Sequence, residues 1–359
     1  MSNTWLSQVS LASLLAGERG DWQVLAQEAR EWEAGAKLFG ITPENVNQVM
    51  EERLSLLRCV FPDFKQLCEN NLQVPTQTML QALWKLWLPL GAKIASSRKS
   101  LGRAMIQGIL GPQGTGKTTM CQILNLVLRH LGYSSLSLSL DDLYKTHSDR
   151  LKLREQDPRL IWRGPPGTHD IHLGLGLLDQ ILQNKFPVTV PRFDKSALFG
   201  MGDRTTPEII DQVDIVLFEG WFVGVLPIDP EIFTNAPPPI ITPEDQAFAR
   251  DRNQQLADYV PLWQKLDSLI ILKPTDYRFS LKWRKEAEHK MIAGGFSGMN
   301  DAQIEEFVKY FWRSLHPELF MEPLIKTSPK SLPVDLVIEV KEDHSLSYGG
   351  GLNHLPFPE

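Results

Sequence analysis

The residues with the clearest chemical potential form a glycine-rich octapeptide. Gly111-Pro112-Gln113-Gly114-Thr115-Gly116-Lys117-Thr118 matches the pattern G-x-x-x-x-G-K-[ST] at every fixed position. Glycines let backbone N–H groups close around phosphate oxygens, and a following helix adds positive potential from its N-terminus. A β-rich run precedes the octapeptide and a helical pattern follows it at 120–131, which is the context that phosphate binding requires. The sequence therefore predicts a site for nucleotide phosphates.

Two side chains of this loop are expected to act on the phosphates directly. Lys117 reaches the β- and γ-phosphates, and the Thr118 hydroxyl ligates Mg²⁺. The cofactors predicted from these residues are therefore ATP and Mg²⁺. The predicted nucleotide-binding set is Gly111, Gln113, Gly114, Thr115, Gly116, Lys117, Thr118 and Thr119.

A second candidate metal ligand is Glu219, in the run Ile215-Val216-Leu217-Phe218-Glu219-Gly220. A carboxylate at the tip of an apolar strand near the phosphate loop suits a direct or water-mediated contact with Mg²⁺. The alternative interpretation is an ordinary glutamate at a strand end. We favour the metal role because the phosphate loop is present.

Missing motifs narrow the class of nucleotide-binding protein, since motors, GTPases, transporters and kinases share the loop. The Asn-Lys pair at 184–185 is followed by Phe-Pro, so the Asn-Lys-x-Asp motif of GTPases is absent. The transporter signature L-S-G-G-Q is also absent, and Glu219 precedes glycine where motors carry Asp-Glu. These absences favour a kinase.

Asp141 is the candidate catalytic base. Leu138-Ser139-Leu140-Asp141-Asp142-Leu143-Tyr144 ends a β-rich run, which places Asp141 at a carboxyl strand end, where open α/β sheets bind ligands. A kinase that acts on an alcohol needs a carboxylate to orient the hydroxyl and accept its proton. Helix capping is the alternative for either aspartate, and we assign capping to Asp142.

Two loops that combine glycine, proline and charged residues are candidates for the acceptor site. They span residues 162–170 and 191–196, and the second continues to 202–204. Such loops suit an anionic, hydroxylated substrate, with surface ion pairs as the alternative. A basic stretch at 279–286 suggests a lid, in which Arg284 would neutralise charge on the transferred phosphoryl group. A solvated helix face is the alternative there.

The hydrophobic pattern predicts the elements that position these residues. The first hundred residues have a helical pattern, and the stretch at 76–90 is apolar enough all round to be buried. Beyond a polar segment at 96–100, short β-rich runs alternate with helices, which predicts a doubly wound α/β sheet. We expect an α-helical region at 1–100, a kinase core at 101–345 and a flexible tail at 346–359. The β-rich runs are 104–110, 134–140, 187–193, 213–219 and 266–272.

Composition limits the partners. The 359 residues carry a net charge of −6, which argues against a broad basic face for nucleic acid. Three cysteines without a C-x-x-C pair argue against a disulfide framework or a structural zinc site. The sequence has no run of 18 apolar residues and no targeting pattern, so we expect a soluble, cytoplasmic protein without a membrane partner. Its oligomeric state stays open, with a monomer slightly favoured.

Six segments together resemble a known family: G-P-Q-G-T-G-K-T-T, S-L-D-D-L-Y, R-G-P-P-G-T-H-D, P-R-F-D-K-S, G-D-R and L-F-E-G-W. They resemble the plant- and cyanobacterial-type D-glycerate 3-kinases, in the P-loop kinase group of phosphoribulokinase, uridine kinase and pantothenate kinase. The similarity runs from about residue 100 to about residue 340. Leu143 and Phe193 stand where the family pattern has Phe and Tyr, and both keep apolar bulk.

The resemblance implies ATP-dependent phosphorylation of D-glycerate at its terminal hydroxyl, to 3-phospho-D-glycerate, in photorespiratory metabolism. It also implies a P-loop NTPase fold with five parallel strands in the order 2-3-1-4-5. Substrate-binding candidates carried over are Asp141, Tyr144, Arg163, His169, Asp170, Arg192, Asp194, Lys195 and Arg204, and the catalytic candidates are Lys117, Asp141 and Arg284. The residues alone predict a kinase of a small hydroxylated anion. A pentulose phosphate, nucleoside or pantothenate kinase, and a non-catalytic ATP-dependent regulator, remain open.

Overall fold

The computed structural model describes residue 15 and residues 33–295, 298–327 and 332–348. Most of the expected tail, from residue 349 onward, and most of the first 32 residues lie outside the described residues. Within the described part of the chain, no helix is both long and apolar enough to cross a membrane.

Helices precede the first strand, as the sequence predicts. They are α1 (Glu33–Leu38), α2 (Val46–Gln66), α3 (Thr76–Ala82) and α4 (Leu88–Leu101), with π-helical turns at Leu67–Leu72 and Leu83–Trp87. The polar segment at 96–100 is not the expected break, because it forms the last turns of α4. The helix ends at Leu101 and is capped by Gly102. The φ of Gly102 is 67°, a left-handed backbone that glycine adopts without strain.

The remaining chain alternates strands and helices. The strands are β1 (Met105–Leu110), β2 (Ser135–Ser139), β3 (Val188–Asp194), β4 (Asp203–Ile210), β5 (Ile215–Gly220), β6 (Ser268–Pro274), β7 (Val334–Val340) and β8 (Leu346–Tyr348). The helices are α5 (Lys117–His130), α6 (His147–Gln156), α7 (Ile171–Leu182), α8 (Pro243–Gln255), α9 (Val260–Trp263), α10 (Phe279–Ala293), α11 (Asp301–Ser314) and α12 (Pro317–Thr327). Short 3₁₀ segments lie at Leu140–Leu143, Pro230–Asn235 and Leu256–Tyr259.

The central sheet has the strand order β2-β5-β1-β6-β7-β8 in the described part of the chain. The first five of these strands run parallel and β8 is antiparallel to β7. Counted among the parallel strands alone, the order is 2-3-1-4-5, as the resemblance implies. The difference from expectation is the short sixth strand at the edge. The α/β P-loop fold prediction is confirmed.

The sequence pattern predicts the β-rich run at 187–193 as a strand of this sheet, and that prediction is wrong. It forms β3, which pairs antiparallel with β4 in a separate two-stranded sheet. The fifth parallel strand is instead β7, whose buried residues alternate with partly exposed ones such as Asp335 and Glu339. That alternation resembles a surface strand, so the sequence pattern did not single it out.

Helices cover the central sheet on both faces. In β1, Met105 and Ile109 belong to the core cluster shared with the N-terminal helices and α5. Ile106 and Leu110 belong to a second cluster, which includes side chains of α7 and α12 on the opposite face. Burial on both faces explains why β1 is apolar almost throughout. The sheet thereby presents one edge, at the carboxyl ends of its parallel strands, from which loops can project.

Candidate active site

Three parallel strands bring the predicted catalytic residues to one edge of the sheet. Glu219 near the end of β5 is in register with Ile109 of β1 and with Ser139 of β2. The glycine-rich loop leaves β1 immediately after this level, and Asp141 follows β2 by two residues. The metal-site candidate therefore lies between the phosphate loop and the base candidate.

The glycine-rich loop turns sharply into α5. Gly114 and Gly116 have φ values of 82° and 84°, which side-chain-bearing residues rarely adopt. The Lys117 ammonium donates to the carbonyl oxygen of Pro112 at 3.0 Å, so this side chain curls back over the loop. The Thr115 hydroxyl donates to the same carbonyl at 2.8 Å. A loop of this shape directs backbone N–H groups and one ammonium toward a common point, which is a phosphate-binding geometry.

Four charged side chains meet beside the loop: Lys117, Asp141, Lys195 and Glu219. The Lys195 ammonium lies 2.6 Å from an Asp141 carboxylate oxygen. Burial lowers the pKa of Lys117, against the opposing influence of Glu219 and Asp141. Burial acts to raise the pKa of Asp141, but Lys195 outweighs it, and the pKa lies below its ordinary value. The charges of two carboxylates and two ammonium groups thus offset one another at the position where the nucleotide phosphates would bind.

Asp141 and Asp142 have different surroundings. Tyr144 donates a hydrogen bond to Asp141, and burial with the nearby Asp141 charge raises the pKa of this phenol well above its ordinary value. Asp142 accepts the Ser139 backbone N–H at 3.0 Å and completes a capping box on the 3₁₀ segment. It also pairs with Arg192 at 3.0 Å. Asp142 caps the 3₁₀ segment, as expected. Asp141 is the aspartate of the pair that lies near Lys117 of the glycine-rich loop.

Three arginines and two aspartates among the substrate candidates make contacts within the protein. Arg192 binds Glu208 at 2.6 Å, besides Asp142 and the Ser137 carbonyl. Arg204 donates to the Tyr144 carbonyl at 3.0 Å and to Asp170 at 2.9 Å. Asp170 in turn caps α7 by accepting the Leu173 N–H at 3.1 Å. These contacts shape the walls of the site by fixing the loops to each other.

The third arginine fixes the connection between β3 and β4, residues 195–202, which we call the hairpin loop. Arg163 donates to the carbonyl oxygens of Gly200 and Met201 at 2.8 and 3.0 Å. Arg150 of α6 donates to the carbonyls of Met201 and Gly202, a role that sequence reasoning missed. Asp194 accepts the Ser196 N–H at 2.8 Å and so forms the turn that precedes the loop. Arg150 sits in an ordinary polar helix, and no local pattern marks it.

His169 is buried beneath Tyr144, with ring centroids 4.5 Å apart in a stacked arrangement. Its Nδ1 lies 2.8 Å from the Tyr259 hydroxyl, which also accepts the Gly167 N–H. Burial lowers the pKa of His169 to about 3, so the ring is neutral at physiological pH. Sequence reasoning missed Tyr259, since an aromatic residue in an apolar stretch reads as core. The His169 ring therefore supports Tyr144 and carries no charge for an anionic substrate.

Arg284, the expected lid residue, is placed differently. Its guanidinium binds Glu288 of the same helix at 2.8 Å and lies over the Phe307 ring at 5.5 Å. The preceding residue, Trp283, packs against the loop, because a Cβ on Gly114 would lie 2.7 Å from the Trp283 Cβ. Among contacts of the described residues, none joins Arg284 to the charged group of four. The helix reaches the phosphate loop, and Arg284 itself is held to one side.

The metal candidates Thr118 and Glu219 supply two oxygen donors, the hard ligands that Mg²⁺ prefers. Thr118 is exposed at the start of α5, and Glu219 is partly buried at its strand end. The described residues contain no group of three or more His, Cys, Asp or Glu that could hold a metal alone. This set fits Mg²⁺ that arrives with nucleotide phosphates and keeps several waters.

Comparisons with known proteins agree with a P-loop kinase fold, although no family model matches the chain. "D-glycerate 3-kinase, chloroplastic" of Arabidopsis thaliana is 28% identical over 330 residues, covering 86% of this chain and 69% of that protein. "Probable ATP-dependent kinase TDA10" of Saccharomyces cerevisiae is 36% identical over 234 residues, covering 60% of this chain and 78% of that protein. A solved D-glycerate 3-kinase from Cryptococcus neoformans var. grubii aligns with a TM-score of 0.57 and 29% identity, over 68% of this chain and 90% of that one. The chain belongs to the family of P-loop kinases that includes D-glycerate 3-kinase.

Proposed function

We propose that this protein transfers the γ-phosphoryl group of ATP to the terminal hydroxyl of D-glycerate, giving 3-phospho-D-glycerate and ADP. The observation that carries the proposal is the pairing of Asp141 with Lys195 beside Lys117 and Glu219. It combines a proton acceptor, a cation for an anionic acceptor substrate, and a phosphate-binding lysine. The names of the Arabidopsis and Cryptococcus relatives support D-glycerate as that acceptor.

The glycine-rich loop would hold the nucleotide. Its backbone N–H groups and the Lys117 ammonium bind the β- and γ-phosphates and neutralise charge that develops during transfer. Thr118 and Glu219 would hold Mg²⁺, which would supply further positive charge to the phosphates. The close packing of Gly114 on Trp283 fixes the loop against α10, so the phosphates meet a preorganised site.

Asp141 would orient the acceptor hydroxyl and take its proton as the new P–O bond forms. The bond between the γ-phosphorus and the ADP oxygen breaks in the same transfer, and ADP leaves with the electron pair. The Tyr144 hydroxyl, which donates to Asp141, would help to orient the base. Stacking on the buried His169 holds Tyr144 in place.

A coupled assay of ADP release tests this function. The purified protein with Mg-ATP should release ADP with D-glycerate at a much higher kcat/KM than with a pentulose phosphate, a nucleoside or pantothenate. Phosphorylation of the terminal carbon is read by ³¹P NMR of the product. A higher kcat/KM with one of the other acceptors would identify that acceptor as the substrate and contradict glycerate. ATP binding without turnover on any acceptor would favour a regulator.

A further inference from the structure

Four of the substrate-binding candidates are cationic, and they differ in what they already bind. Arg163, Arg192 and Arg204 each donate to carbonyl or carboxylate oxygens of the protein within 3.0 Å. Moving any of them toward a ligand would leave those oxygens without their donors, at a cost in free energy. These three arginines are therefore committed to holding the loops together.

Lys195 is the cation that can change partner. The contact that the structure gives its ammonium is with Asp141, at 2.6 Å, while 62% of its side chain is exposed. A lysine whose side chain is largely exposed can move its ammonium to a new anion without breaking the fold. A carboxylate on the acceptor substrate is such an anion.

The hairpin loop begins at Lys195, and its middle is strained although Arg150 and Arg163 hold its far end at residues 200–202. Leu198 and Phe199 have φ values of 52° and 57°, a left-handed backbone that is strained for residues with a side chain. The Phe199 side chain is fully exposed, so no packing of that side chain compensates for the strain. Strain of this kind next to a charged site is typical of segments that change conformation on binding.

The Lys195–Asp141 pair also has a chemical consequence for the base. While the ammonium is paired with one carboxylate oxygen, its positive charge stabilises the ionised form of Asp141 and makes it a weaker proton acceptor. Removing the cation strengthens Asp141 as a base, because the charge that favoured its ionised form is gone.

We propose that Lys195 makes a carboxylate on the acceptor a requirement for phosphoryl transfer, by covering Asp141 until the acceptor anion draws the ammonium away. This specificity rests on the proposed function of the same site. With D-glycerate, the hydroxyl proton passes to the uncovered Asp141 while the acceptor oxygen binds the γ-phosphorus and ADP leaves. With a neutral alcohol or water, Lys195 stays on Asp141 and the proton has no acceptor.

The test compares Lys195→Met, which keeps the length of the side chain and removes its charge, with the wild type. The acceptors are D-glycerate and glycerol, in which a hydroxymethyl group replaces the carboxylate. In the variant, kcat/KM for glycerate should fall roughly 10- to 100-fold, the effect of losing one charge-assisted hydrogen bond. The kcat/KM for glycerol should stay or rise, and ATP hydrolysis without any acceptor should rise several-fold, because Asp141 is uncovered.

Two further variants isolate the charge. Lys195→Arg should retain most of the preference for glycerate over glycerol. Lys185→Met removes an exposed lysine that precedes β3. This variant should change neither the preference for glycerate over glycerol nor the rate of ATP hydrolysis without acceptor. An equal fall with both acceptors in Lys195→Met, or ATP hydrolysis that does not rise, would overturn the proposal. Failure of the wild type to phosphorylate glycerate would instead refute the proposed substrate, and the hydrolysis comparison would still report on Lys195.

Discussion

At the scale of single residues, two adjacent aspartates have opposite electrostatic environments. For Asp142, burial outweighs its hydrogen bonds and Arg192, and its pKa is raised. For Asp141, burial is outweighed by Lys195 and its hydrogen bonds, and the pKa is lowered. Asp142 is tied to the backbone of Ser139 and Phe193, whereas Asp141 is paired with the largely exposed side chain of Lys195. This contrast supports the proposal that Asp142 has a structural role and Asp141 a catalytic one.

Asp141→Asn should lower kcat by about 10²- to 10⁴-fold, the usual contribution of general-base catalysis. The amide keeps the shape of the side chain but cannot accept the proton. ATP affinity, measured by calorimetry, should change little, because Lys117 and the loop backbone hold the phosphates.

Asp142→Asn is the control for this experiment. Its amide oxygen can still accept the Ser139 N–H, so activity should largely survive while stability falls on the order of 1 kcal/mol through the weakened Arg192 contact. A dead Asp142 variant beside a live Asp141 variant would reverse the two roles.

A second residue-scale prediction concerns His169 and acid stability. The unfolded histidine gains a proton near pH 6.5, whereas the buried ring resists protonation until about pH 3. Between these values the unfolded state binds more protons, so the free energy of unfolding falls as the pH falls, by up to roughly 1.4 kcal/mol per pH unit.

His169→Gln should remove this part of the pH dependence. Urea unfolding at several pH values between 6.5 and 4 should show a shallower slope in the variant than in the wild type. His172→Gln, at an exposed position on α7, is the control and should leave the slope near that of the wild type. Identical slopes in all three proteins would show that His169 titrates normally.

At the scale of elements, the phosphate loop is positioned by its packing on α10 as well as by its own backbone. Gly114 and Gly116 both have positive φ, but a Cβ on Gly114 would lie 2.7 Å from the Trp283 Cβ, while a Cβ on Gly116 meets nothing within 4 Å. Trp283 cannot yield easily, since it is 3% exposed and its indole N–H donates to the Glu342 carbonyl at 2.9 Å.

Gly114→Ala should therefore be more destabilising than Gly116→Ala. Both variants bear the strain of a left-handed alanine, roughly 1–2 kcal/mol, and Gly114→Ala adds overpacking of about 1–3 kcal/mol. Urea denaturation without nucleotide measures the difference. Equal losses in the two variants would mean that the loop does not press on α10.

The sequence allowed the phosphate loop to be predicted because its chemistry is local. Eight consecutive residues specify the turn, the lysine and the helix that follows. The partners of Arg192 could not be predicted, because they depend on β3 lying outside the central sheet and pairing with β4. The position of Arg284 also escaped prediction, because whether a helical arginine faces the site or Glu288 depends on how α10 packs. Strand pairing and helix packing between distant parts of the chain determine these contacts, and the spacing of residues in the sequence carries little information about them.

At the scale of the whole molecule, the N-terminal helices and the phosphate-binding helix share one core. Leu57, Phe64 and Leu83 are fully buried in the same cluster as Ile109 of β1 and Ile123 of α5. Outside this core, the partly exposed Asp63 of α2 pairs with Arg129 and His130 at the end of α5, at 2.9 and 3.0 Å. We propose that α1–α4 and the kinase core form one cooperative folding unit.

Phe64→Ala tests this unit, because it creates a cavity between α2 and the layer that carries the phosphate loop. Truncating a fully buried phenylalanine typically costs about 3–5 kcal/mol. If the unit is cooperative, that loss should appear both in the circular dichroism of the helices and in the hydrogen-exchange protection of the β1 amides. Phe61→Ala, a change of the same size at a partly buried position of α2, should cost clearly less. Loss of protection confined to α1–α4, with β1 as protected as in the wild type, would show two units that unfold independently.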